Sequence, residues 1–100
     1  MSDRRGEVAA IFTSHGLLDA GTTILAARAA GFDAEANPVI RELLAVGELP
    51  TVAVMLVAVA VCCLAWPTAA DALEAPEWFG LGVAAIGAVV AAVNLVVVFA

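Results

Sequence analysis

Between Glu48 and Asp71 the chain carries no charged side chain, and between Glu77 and Ala100 it again carries none. Two such runs constrain the fold more than any other feature, because about 20 apolar residues in a helix suffice to cross a hydrocarbon core of about 30 Å. The first predicts a transmembrane helix over residues 49–70, with Pro50 suited to its first turn and Trp66 and Pro67 marking its far end. The second predicts another over 78–100, opening on Trp78 and Phe79 at the interfacial level. Composition agrees: 64% of residues are hydrophobic and 14% charged, with a mean hydropathy of +1.06. Soluble domains are roughly half apolar and about one quarter charged. A water-soluble globule of 100 residues could not hide so much Ala, Val and Leu without large sticky patches.

The charges that remain are lopsided. Ten acidic residues face four arginines, there is no lysine, and the formal net charge is −6, which argues against a nucleic-acid partner. An acidic loop (Asp71, Glu74, Glu77), absent lysine and an Ala/Val-rich body match the composition of proteins from salt-loving archaea, so the cell membrane of such an organism is the expected location. Cys62 and Cys63 are adjacent and cannot form an ordinary disulfide with each other; they read as small buried hydrophobes.

A third apolar stretch, 8–27, is long enough to span but contains His15, Asp19, Thr22 and Thr23. Arg4 and Arg5 before it raise the alternative of a cleaved signal peptide, against which the central aspartate argues. With three crossings the arginines divide evenly, Arg4 and Arg5 against Arg28 and Arg41, so charge leaves the orientation open. Between the first two spans, Gly31 can end a helix, Asn37 can cap the next and Pro38 fits its first position. Val39, Ile40, Leu43, Leu44 and Val46 then form an apolar face up to Gly47, giving a short amphipathic helix over 38–46 at the interface. The expected fold is all-α: a single domain, 1–100, forming an integral membrane bundle of three transmembrane helices plus one short interfacial helix.

At 100° per residue, His15, Asp19 and Thr22 share one face of the first helix, within about 60°. An ionised aspartate facing acyl chains costs at least a few kcal/mol, roughly 2.5–3.5 on insertion scales, so Asp19 must find partners among helices or in a water-filled cavity. If the first and third spans run in the same direction, Asn94 falls roughly level with Thr22 and Thr23, about one turn beyond Asp19. Glu35 and Asn37 lie on that same side. Asp19, Thr22, Thr23, Glu35, Asn37 and Asn94 are therefore the candidate ligand- or ion-binding residues, with interhelical glue as the competing reading. The small residues Gly80, Ala84, Gly87 and Ala91 form a stripe leading to Asn94, along which another helix can approach closely.

His15 and Asp19, four residues apart, are the candidate metal ligands, although zinc ordinarily takes at least three protein ligands and there is no second histidine. Ser14 beside His15 does not make a catalytic dyad by adjacency, and no glycine-rich phosphate loop or paired-Cys motif is present. No catalytic residue and no cofactor is assigned, and an enzyme is the less favoured class.

The run LLDAGTTILAARAAGFDAEANPVIREL resembles an uncharacterised domain-of-unknown-function family of small archaeal and bacterial membrane proteins. The resemblance rests on an aspartate followed by threonine in the first span, then a glycine, then Glu-x-Asn-Pro leading a short helix. Those positions are Asp19, Thr22 or Thr23, Gly31, Glu35, Asn37 and Pro38, with Asn94 as the asparagine of the last span. Family members often carry an asparagine shortly before the aspartate, where this chain has Ser14, His15 and Gly16. The resemblance implies a compact multi-helix membrane domain and carries no activity with it.

The expected function is a structural or accessory subunit of a membrane assembly, embedded in the lipid bilayer and partnered by copies of itself or by other membrane subunits. The alternative is a small cation or proton channel or transporter-like protein using Asp19. A third reading is an intramembrane enzyme using Asp19, Glu35 and His15.

Overall fold

A computed structural model describes residues 3–100. It contains three long helices and one short one: α1 (Arg5–Ala30), α2 (Pro38–Val46), α3 (Glu48–Ala72) and α4 (Phe79–Phe99). α1, α3 and α4 are each long and apolar enough to cross a membrane, and no strand occurs among the described residues. The molecule is an all-α bundle.

The first helix begins before Val8, where the apolar run starts. Arg4 and Glu7 are 4% and 6% exposed and bond to each other, so two charges enter the bundle as a neutralised pair. The turn over Phe12–Leu18 is π-helical, and it sits where α1 meets α4. A Cβ at Gly16 would stand 3.5 Å from the Phe12 ring, an ordinary van der Waals contact. At the other end of α1, Gly31 adopts φ +97°, a backbone conformation that favours glycine.

Asn37 begins α2 as its sequence suggests. Its Oδ1 accepts from the backbone N–H of Val39 at 2.9 Å and of Ile40 at 3.4 Å, and Pro38 takes the first helical position. Pro67 lies inside α3 rather than at its end: the helix runs on to Ala72. Its true stop is a six-residue motif, in which the Ala75 N–H bonds to the Ala70 carbonyl and the Glu74 N–H to that of Asp71. Glu74 occupies the left-handed position of this motif, with φ 55°.

α1 lies in the middle, packed along α4 on one side and against α3 on the other; α3 and α4 do not pack along each other. They meet at one end, where the Trp66 and Phe79 rings stack with centroids 6.1 Å apart. The result is a flat, elongated slab of 45 × 26 × 17 Å. The least apolar of the three long helices is thus the most enclosed, with 39% of its apolar window buried against 17% for each neighbour. Ile11, Cys63 and Ala84 form one core cluster and Ile24, Ala27 and Leu44 another, joining α2 to α1.

Candidate functional site

α1 and α4 run parallel and in register because α4 presents small residues to it. Gly80, Ala84, Gly87 and Ala91 are all buried. A Cβ on Gly80 would stand 2.6 Å from the Glu7 Cβ, and one on Gly87 would stand 2.8 Å from both His15 Cδ2 and Ser14 Oγ. That close approach brings the polar face of α1 onto the backbone of α4, where His15 Nε2 lies 2.7 Å from the Val83 carbonyl oxygen.

One to two turns further along α1, Asn94 reaches three of its side chains. Its Nδ2 donates to Thr22 Oγ1 at 3.1 Å, to Thr23 Oγ1 at 3.3 Å and to Asp19 Oδ1 at 3.4 Å. Thr23 Oγ1 also donates to Asp19 Oδ1 at 3.3 Å, and Thr22 Oγ1 donates back to the Leu18 carbonyl at 2.6 Å. Four of the six candidate residues therefore form one hydrogen-bonded cluster. Glu35 and Asn37 come to the same place without bonding to it: they line, with Asp19, Thr23 and Asn94, a cleft of about 220 Å³ walled by Ile40, Met55 and Val90. Thr22 takes part in the cluster but does not line the cleft.

The loop residues have structural bonds of their own. Glu35 Oε1 accepts the Asn37 N–H at 3.1 Å, and Arg41 Nη1 donates to the Glu35 carbonyl at 3.1 Å. The Glu-x-Asn-Pro sequence thus builds its own turn and caps its own helix. Of the two candidate metal ligands, His15 is engaged with the backbone of α4 while Asp19 faces the cleft, and no group of three or more His, Cys, Asp or Glu suited to a metal occurs among the described residues.

A second polar constellation, at the opposite end of the bundle, escaped the sequence reading. Arg4 donates from Nε to Asp71 Oδ1 at 2.7 Å, from Nη1 to Glu7 Oε2 at 3.0 Å and from Nη2 to the Ala75 carbonyl at 2.6 Å. The bond to Asp71 raises the Arg4 guanidinium above its ordinary value. Glu7 in turn accepts the Gly80 N–H at 2.9 Å, close to the start of α4, and the Trp66 Nε1–H at 3.4 Å. The only hint in the sequence is a pair of charges three residues apart at the edge of an apolar run, the spacing that puts them on one helix face.

Residues 10–100 of the chain match the family described as Domain of unknown function (DUF5658). The chain belongs to that family. The match takes in all six candidate residues and the whole of α2, α3 and α4; Arg4 and Glu7 precede it. For this DUF5658 member, no curated protein and no solved structure matches.

Proposed function

We propose that this DUF5658 protein is an integral membrane protein, embedded through α1, α3 and α4, that serves as a structural or accessory subunit of a larger membrane assembly. The observation that carries this reading is the segregation of polarity. Every buried side-chain nitrogen and oxygen among the described residues has a hydrogen-bond partner, and these polar groups belong mostly to the central helix. The flanking helices turn apolar side chains outward, with Leu49, Leu64 and Phe99 more than 80% exposed. Hydrocarbon is the solvent for such faces, and a flat slab leaves broad surface for neighbouring subunits. Native mass spectrometry of the protein extracted with its lipids tests this: a defined oligomer or a co-purifying membrane subunit is expected, and a lone chain at every mild detergent condition counts against it.

A second reading, a cation or proton site at Asp19, is favoured by the cleft that reaches Asp19 and Glu35 together. Reconstituted vesicles decide it. If Asp19→Asn leaves ion flux at the wild-type level, the carboxylate has no transport role and the cluster is interhelical glue.

A further inference from the structure

We infer that residues 31–47 form a re-entrant segment that dips below the membrane boundary and holds open a water-filled vestibule, through which water and small hydrophilic cations reach Asp19 from one side. This rests on the membrane reading above and adds a side of access and a depth to it.

The depth follows from helix register. α1 and α4 stay level along their length, since Glu7 meets Gly80, His15 and Ser14 meet Gly87, and Thr22 meets Asn94. Carried forward, this places Arg28 level with the end of α4. α3 runs antiparallel and returns to the same level, where Arg28 Nη2 lies 2.6 Å from Glu48 Oε2. Arg28, Glu48 and Ala100 therefore share one plane. From Gly80 to that plane α4 rises about 30 Å, the thickness of a hydrocarbon core, so the plane is one membrane boundary.

At about 1.5 Å per residue, Asp19 lies about 13 Å inside the boundary, Met55 about 10 Å and Asn94 about 9 Å. Glu35 and Asn37 line the same cleft as these three residues, so the start of α2 lies at that depth. Its other end returns to the surface: Leu44 packs with Ile24 and Ala27, and Gly47 alone joins the helix to Glu48. α2 thus stands across the boundary, rising about 13 Å from its start to its end.

The connection from Gly31 to Asn37 contains only a short 3-10 turn, Phe32–Ala34, and it carries Glu35 and Asn37 down to the cleft. Irregular backbone at membrane depth survives only where it is buried in protein or lines a water-filled cavity. Ala36 and Asn37 are exposed and Glu35 only half-buried, so no other part of this chain covers the stretch. Water does, and the cleft beside it is the inner end of that water-filled space.

Single cysteines test the vestibule in sealed vesicles, in a Cys62→Ala, Cys63→Ala background, with a membrane-impermeant cationic thiosulfonate added from one side. Ile40→Cys and Val90→Cys line the cleft; Val57→Cys and Val93→Cys lie at similar depth on exposed faces away from it. Both cleft positions should react from the side that labels Phe32→Cys, and neither of the other two should react. The cleft positions should also prefer the cationic reagent over an anionic one by about tenfold more in the parent than in Asp19→Asn, since a carboxylate in a narrow cleft concentrates cations. Leu73→Cys, in the loop at the opposite end, should react only from the other side. Failure of that control, with both loops labelled from one side, would sink the membrane reading itself. Opposite-side labelling of the loops with no reaction at Ile40→Cys and Val90→Cys would leave the spans standing and overturn the vestibule.

Discussion

Glu7 and Gly80 are matched to each other: the carboxylate of one accepts the backbone N–H of the other at 2.9 Å, and the missing side chain of the second is the space the first occupies. Glu7 also holds Arg4 and Trp66, so the whole end of the bundle turns on this contact. Glu7→Ala should destabilise the protein by about 3–5 kcal/mol, the usual cost of removing one partner from a buried charged pair. Gly80→Ala should cost less, about 1–3 kcal/mol, by pushing the two helices apart. Unfolding in mixed micelles by denaturing detergent measures both; wild-type midpoints for the two variants would contradict the contact.

Gly87 gives a cleaner comparison because the same helix holds its control. A side chain on Gly87 collides with Ser14 and His15, whereas one on Gly82 meets nothing within 4 Å. Gly87→Ala should therefore cost about 1–3 kcal/mol through overpacking. Gly82→Ala should be neutral or stabilising by about 0.4–1 kcal/mol, since alanine restricts the unfolded chain. The same unfolding assay reads both, and equal effects at the two positions would mean that α4 does not present Gly87 to α1.

Asn94 donates to three acceptors on α1, yet its removal should be milder than that number suggests. Hydrogen bonds between membrane helices average about 0.6 kcal/mol and reach about 1.7, because the unfolded helices also find partners. Asn94→Ala is expected within that range. A loss beyond it, or complete loss of assembly, would show that the cluster does more than join two helices.

Glu74 sits at φ 55° in the stop of α3, a position where a side chain is strained. Glu74→Gly should stabilise the protein by about 1 kcal/mol, the left-handed penalty relieved per residue. Gly31 is the reverse case: it has open space around its Cβ position but φ +97°, so Gly31→Ala should destabilise through backbone strain alone. Thermal midpoints of the two variants should move in opposite directions.

Asn37 closes the start of α2 with two backbone hydrogen bonds. Asn37→Ala should cost about 1 kcal/mol, and Asn37→Ser much less because serine caps equally well. Amide hydrogen exchange at Val39 and Ile40 should speed up in the alanine variant and stay slow in the serine one.

Much of this architecture was legible in the chain because hydrocarbon imposes a simple requirement. A charge-free run long enough to span is visible without any knowledge of contacts, so α3 and α4 follow from residues 49–70 and 78–100. The Asn37 cap, the Pro38 start and the Gly31 stop are local, decided within a few residues of backbone. The Asp19, Thr22, Thr23 and Asn94 cluster was also within reach, because helical periodicity gives the face and rise per residue gives the depth. The Arg4, Glu7 and Asp71 network was not, since two of its members stand at the edges of apolar runs where charges are normally solvated. Pro67 misled for a related reason: proline disfavours a helix interior locally, but the helix runs through it to the stop at Glu74.

The sequence by itself determined how many helices there are, about where each lies and which residues on each are polar. Those properties depend on hydropathy, periodicity and capping, which act over one or two turns. The tertiary structure alone decided that α1 stands between α3 and α4, that Glu35 and Asn37 come back to the level of Asp19, and that two opposite charges are buried together at the far end. Each of these is a choice among ways of packing the same helices, and it is settled largely by contacts between residues far apart in the chain, such as Glu7 with Trp66 and Asn94 with Asp19. No local preference encodes such contacts; only the fit of a particular glycine against a particular carboxylate does.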